Sequence, residues 1–134
     1  QSRSETANPT GEWDFPDDDL VDEFVSETGI DILAIGEGRA DLPSAPIQRI
    51  HGMTKAHLSL HGGSKLPDAT VAELVDAGVR KCSVFGKVTK RAMQSVKEYL
   101  ESSDDLILLG EAISSGFHAG VATEITRLGS ADRA

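Results

Sequence analysis

Leu58-Ser59-Leu60-His61-Gly62-Gly63-Ser64-Lys65-Leu66-Pro67-Asp68 reads as the end of a strand, a tight turn and the entry to a helix. Glycines after a strand let the backbone turn sharply and bare amide N–H groups, a geometry suited to an anion such as phosphate. Histidine at a strand end is a metal-ligand type, and the proline-led start at Pro67-Asp68 opens a helix. After a parallel strand, such a segment is how the C-terminal rim of a β/α barrel assembles a site. The same two glycines also serve any strand-to-helix turn, so the purely structural reading stays open beside the phosphate cradle.

The flanking sequence repeats the strand–helix alternation. Asp17 is placed to cap a helix running to about Glu27, with Leu20, Val21, Phe24 and Val25 on its apolar face. Thr28-Gly29 closes it, and Ile30 to Ile35 is a buried-strand candidate. Gly36 to Pro43 forms a loop, Ile47 to Met53 a short helix, and Ala56 to Leu60 the strand that leads into the turn. Pro67 onward is amphipathic, with Val71, Leu74 and Val75 facing inward, and Asp76-Ala77-Gly78 ends it. A third strand is expected over Lys81 to Phe85. A long helix then follows over Lys87 to Leu100, with Val88, Met93, Val96 and Leu100 as core contacts. The last helix starts at about Leu106 or Glu111 and runs to Leu128.

Alternating strands and helices with short links predict parallel strands with crossover helices. The expected fold class is α/β: a partial TIM-type β/α barrel, about three parallel strands and a C-terminal helical segment. Residues 1–16 form a polar N-terminal arm and 17–134 the half-barrel domain. Trp13 and Phe15 give that arm aromatic docking residues. Three strands cannot close an eight-stranded barrel, and parallel strands need cover on both faces and at both edges. A partner is therefore expected, either another protein chain or a homo-oligomer completing the sheet.

The chain has 134 residues, 39% hydrophobic and 26% charged, with a net charge of −9. That balance suits one globular domain and argues against non-specific nucleic-acid binding. No apolar run approaches the roughly 20 residues of a span, so no membrane insertion is expected. The acidic cluster Glu12, Asp14, Asp17, Asp18, Asp19, Asp22 and Glu23 reads as a solvated helix entry, without the spacing of a calcium loop. Cys82, the single cysteine, excludes an internal disulfide and reads as a buried strand thiol. No signal peptide is recognisable, and the compartment is left open between cytoplasm and an organelle reached after loss of a targeting segment.

The histidine-glycine-glycine-serine turn of residues 61–64 closely resembles that of class II, metal-dependent fructose-bisphosphate (ketose-bisphosphate) aldolases. Phe24 to Ala34 is similar to the helix, turn and strand preceding it in that family, Gly78-Val79-Arg80-Lys81 to the approach to the next strand, and Ile125 to Ala134 to the closing helix and tail. The resemblance runs from about residue 20 to 134 and matches the C-terminal half of an aldolase roughly twice as long. It implies a zinc-dependent enediolate chemistry in which His61 is a metal ligand, while Gly62, Gly63, Ser64 and Ser83 contact the phosphate of a sugar phosphate.

Two departures set the functional expectation. Where the family has a second histidine ligand, one alignment places Asp41, an oxygen donor, and another places Arg39, which repels a metal. His51 sits in a helix, and His57 near the strand's beginning, away from the rim. Where the family has an asparagine-any-aspartate-threonine stretch, this chain reads Ser83-Val84-Phe85-Gly86, with an apolar ring among groups that would hold hydroxyls. With His61 and Asp41 as the metal set, zinc is expected to be held weakly or lost. No catalytic residue is assigned. A degenerate relative acting as a non-catalytic structural or accessory subunit is the leading expectation. The others are one piece of a split or nicked aldolase, and a sugar-phosphate-binding module.

Overall fold

A computed structural model describes residues 15–37 and 42–132. The described chain divides into two compact units, one up to Ser83 and one from Val84 onward. The first is built in the order α1 (Asp18–Thr28), β1 (Ile32–Glu37), α2 (Ser44–Met53), β2 (His57–His61), a 3-10 turn at Gly63–Lys65, α3 (Asp68–Asp76) and β3 (Val79–Cys82). Its sheet is parallel throughout, in the order β1-β2-β3.

The central strand explains the sheet. Leu58, Ser59 and Leu60 are all buried, with Ser59 only 2% exposed, as expected of a parallel strand covered on both faces. Ile47 and Ile50 of α2 and Leu74 of α3 are fully buried with Leu58 and Leu60. Each such side chain contributes about 1.5–3 kcal/mol. The outer strands are less covered. In β1 Ile35 is buried while Ile32 and Ala34 are exposed, and in β3 Arg80 and Lys81 are exposed. The expectation of a wholly buried first strand therefore holds only at Ile35, because β1 pairs on one side among the described residues. Charged residues on β3 are a common way of blunting such an edge.

Both outer strands carry a register shift against β2. On β1 it lies between Ala34 and Glu37, where Gly36 has φ 116°. On β3 it lies between Val79 and Lys81, where the Arg80 guanidinium turns back to the Val75 carbonyl at 3.0 Å. Strand β3 starts two residues earlier than the sequence predicts and ends at Cys82, so Ser83 to Phe85 is loop. Cys82 is half-buried at the strand's end.

Helix α1 buries Val21 and half-buries Val25, whereas Leu20 and Phe24, expected inside, are exposed. An ion pair between Arg49 and Asp18 joins α2 to α1. His51 lies against the turn before β3: a Cβ on Gly78 would fall 2.3 Å from its ring carbon Cγ, and Gly78 has φ +115°.

The second unit is a helical hairpin of α4 (Gly86–Leu100) and α5 (Leu106–Arg127). Its turn is tied by Tyr99, whose hydroxyl donates to the Asp105 carbonyl at 2.6 Å and bonds Ser103 Oγ at 2.7 Å. Asp105 caps α5, accepting from the N–H groups of Ile107 and Leu108. The seam is narrow because α5 presents glycine: a Cβ on Gly116 would lie 2.6 Å from Ala92 Cα, and one on Gly120 would lie 3.0 Å from Val88 Cα. Val88 and Ala92 are accordingly the buried residues of α4, while Met93 and Leu100, expected as core contacts, are exposed. Farther along α5, Glu124 Oε2 accepts from Arg127 Nε at 3.0 Å and Nη2 at 2.6 Å, both side chains being under 7% exposed. Length and composition alone would let α5 cross a membrane, contrary to the expectation from continuous apolar runs. The glycine seam and buried ion pair are features of a helix packed in a hairpin.

Two outcomes follow. Gly78→Ala should destabilise the chain by about 2 kcal/mol or more in urea unfolding, and His51→Ala in the same chain should recover part of that loss, because the clash is with this ring. Arg127→Ala leaves the Glu124 carboxylate buried without its cation and should cost about 3–5 kcal/mol; a cost below 1 kcal/mol would show that the carboxylate finds water.

Candidate functional site

The C-terminal ends of the three strands form one rim. Glu37, the last residue of β1, stands in register with His61, the last residue of β2. Ser83, one residue past β3, is stitched to the same place from both sides. Its N–H donates to the Leu60 carbonyl at 2.8 Å, and its carbonyl accepts from the Gly63 N–H at 3.0 Å. Ser83 therefore lies beside the turn that follows His61.

That turn is built by its glycines. Gly62 adopts φ 71° and ψ 22°, the left-handed conformation that a side chain disfavours, and Gly63 is buried. A 3-10 turn then forms, with the Lys65 N–H on the Gly62 carbonyl at 3.0 Å and the Leu66 N–H on the Gly63 carbonyl at 3.2 Å. Leu66 is buried and anchors the turn to the core, while His61 and Lys65 are exposed at the rim. Lys65 adds a positive charge beside Gly62, Gly63 and Ser64, which suits a phosphate.

Of the residues singled out in sequence, the structure brings His61, Gly62, Gly63, Ser64 and Ser83 to one edge. Asp41, Arg39 and Gly38 lie outside the described residues, as do Trp13 and most of the N-terminal arm. His57 begins β2 and so stands at the opposite end of the strand from His61. His51 sits in α2 with its ring against Gly78 and its Nδ1 buried. His118 is on α5, in the second unit. Phe85 also belongs to that unit, where it precedes α4 and is 76% exposed. Glu37 does not stand out from the sequence alone. The signal available was Gly36, which extends β1 by a bulge and carries the strand to the rim.

Tested against zinc, the donors among the described residues fall short of a full set. A tetrahedral site needs three or four nitrogen, sulfur or carboxylate ligands within about 2.3 Å of the ion. Among the described residues no group of three histidine, cysteine or carboxylate side chains is placed to hold a metal. His61 is the one histidine that β2 carries to the rim.

A model of the class-II fructose-bisphosphate aldolase family matches residues 7–133. The chain belongs to that family. Among curated relatives, it is 34% identical over 91 residues to the D-tagatose-1,6-bisphosphate aldolase subunit GatY of Klebsiella oxytoca, a match covering 62% of this chain and 32% of that protein. It is 31% identical over 94 residues to the protein YdjI of Escherichia coli K12, covering 64% and 34%. The crystal structure of the YdjI aldolase superposes with a TM-score of 0.76 at 27% identity, over 91% of this chain and 48% of that one. A protein of Coccidioides immitis assigned as a fructose-1,6-biphosphate aldolase superposes at 0.75 over 90% and 45%, and at 24% identity it supports the fold alone. The family member described here thus spans about a third of the curated relatives' length and about half of the solved chains. Its three parallel strands and their helices form part of an aldolase β/α barrel.

Within this aldolase-family rim, Gly62→Ala should strain the turn at a left-handed residue and cost about 1 kcal/mol or more of stability, read by thermal unfolding.

Proposed function

We propose that this chain is an aldolase-family module that keeps the phosphate-binding turn but not a full metal-ligand set, and that it acts as a non-catalytic structural or accessory part of a larger assembly. The observation that carries this reading is the unequal state of the rim. The turn after β2 has its left-handed glycine, its 3-10 geometry and Ser83 alongside, whereas His51 packs against Gly78 and His57 stands at the far end of β2, so no second histidine of the first unit's described residues lies at the rim with His61. In the family that the turn resembles, metal polarises the ketone while a base takes the adjacent proton, and His61 with Asp41 would be a short set for holding that metal. Another protein chain or another copy would complete the sheet by pairing with β1 and β3, whose outer edges have no strand partner among the described residues.

Calorimetric titration with dihydroxyacetone phosphate tests the cradle. Binding is expected, with Ser64→Ala and Ser83→Ala each weakening it by about tenfold, the loss of one hydrogen bond to a charged group. His61→Ala should leave it unchanged. No binding by the intact chain would reject the cradle.

A second reading is favoured by one feature: His61 is exposed at the rim with Glu37 in register beside it. Here the chain is one piece of a split aldolase. Another polypeptide would supply the further histidine and the base, and His61 and Asp41 would share a divalent metal. Elemental analysis of the purified assembly separates the two. Less than one equivalent of zinc is expected; stoichiometric zinc that disappears in His61→Ala would overturn the non-catalytic reading in favour of the split enzyme.

A further inference from the structure

Charge is laid out unevenly along this chain. Helix α1 holds five acidic residues and no basic one. Asp18 pairs with Arg49 of α2, while Asp19, Asp22 and Glu23 are exposed on the side turned away from the buried Val21. Helix α4 begins with the opposite sign. Lys87, Lys90 and Arg91 are exposed in its first two turns, turned away from the buried Val88 and Ala92, and no acidic residue stands among them. Cations there face the positive end of the helix dipole, and like charges three and four residues apart repel one another. A chain with a net charge of −9 thus gathers three cations where its own backbone disfavours them. An acidic surface brought alongside relieves both effects.

The spacing identifies that surface. Asp19, Asp22 and Glu23 follow one another at i, i+3 and i+4, and so do Lys87, Lys90 and Arg91. With one α1 and one α4 side by side and parallel, the equal rise per residue brings residue 19 level with 87, 22 with 90 and 23 with 91. Each face also has an exposed apolar border, Leu20 and Phe24 on α1 and Met93 on α4, which favours shedding water from the contact. The acidic and basic faces are different surfaces. A contact between copies is therefore heterologous, each copy meeting one neighbour through α1 and another through α4.

We propose that the acidic face of α1 is a docking surface for the basic start of α4 on a second copy of this chain, joining copies head to tail with Asp19 against Lys87, Asp22 against Lys90 and Glu23 against Arg91. Exposed ion pairs are individually weak and screened by salt, so the assembly forms at low ionic strength and comes apart as salt rises. The contact uses neither the sheet edges nor α5, and it does not depend on whether the rim binds phosphate.

Sedimentation equilibrium of the full chain at about 50 and about 500 mM NaCl provides the test, the higher salt cutting the screening length to roughly a third. At low salt the weight-average mass should climb with protein concentration, above the constant value it holds at high salt. Reversing one face, by Asp19→Lys, Asp22→Lys and Glu23→Lys together or by Lys87→Glu, Lys90→Glu and Arg91→Glu together, should weaken this association at least about tenfold. An equal mixture of the two reversed variants should regain it, and so should a chain carrying all six substitutions. Far-UV circular dichroism checks the helices; if the reversed α1 variant loses its spectrum, Asp19→Asn, Asp22→Asn and Glu23→Gln together replace it for the weakening measurement. A mass independent of concentration at both salts would overturn the proposal. So would a low-salt rise that survives both changes, which would place association elsewhere. Folded reversed variants that stay apart when mixed would overturn the pairing of α1 with α4. A salt response without concentration dependence would overturn it in favour of pairing inside one chain. Binding of a non-assembling chain to phosphatidylserine vesicles, lost when Lys87, Lys90 and Arg91 are reversed, would assign the basic face to lipid instead.

Discussion

A parallel strand has no polar face to offer water, and β2 shows what that demands. Leu58, Ser59 and Leu60 are buried in succession, so helices must cover both sides and a strand must pair along each edge. That requirement brings β1 and β3 alongside in parallel. Parallel alignment in turn carries the C-terminal ends of all three strands to one side. The rim with His61, Glu37 and Ser83 is a by-product of this alignment, and the glycines after β2 convert a strand end into a turn with a defined shape. The two bulges adjust it further. Each inserts one residue into an outer strand, and the one at Gly36 delivers Glu37 to the level of His61.

The second unit is governed by a different rule. Two helices approach closely only where a side chain is missing, and Gly116 and Gly120 supply that gap opposite Ala92 and Val88. Once the seam is set, the angular position of every other residue on α5 follows. Glu124 is carried inward, where Arg127 one turn later neutralises it, and the Ile113 to Ile125 stripe is carried outward. Burial of a charge and exposure of four apolar side chains thus have a single geometric cause.

Much of this was legible in the sequence. The order of elements, the parallel topology and the turn at residues 61–64 follow from apolar spacing, the glycine pair and Pro67, all local signals. Val71 and Leu74 were readable as inward residues because α3 has one clear apolar face. What failed were inferences that need to know the neighbour. Met93 and Leu100 look like core residues by spacing, but α4 packs through Val88 and Ala92 because the glycines opposite allow a closer approach. Leu20 and Phe24 share a face with Val21, yet the cover that would bury them is not among the described elements. At the rim, the glycine turn announced itself by composition. Glu37 did not, since a bulge shifts register in a way that alternation cannot reveal. Ser83 was found through resemblance, and hydrogen bonds at Leu60 and Gly63 give it a physical place.

The boundary between the units falls directly after Ser83, so Gly62, Gly63, Ser64 and Ser83 all reside in one module and the hairpin begins only beyond them. Natural selection can therefore act on the two parts separately. A lineage could remodel α4 and α5 while the glycine turn after β2 persisted intact, or let that turn decay while the helices were retained. Such decoupling lets a two-part scaffold change one surface without disturbing the other.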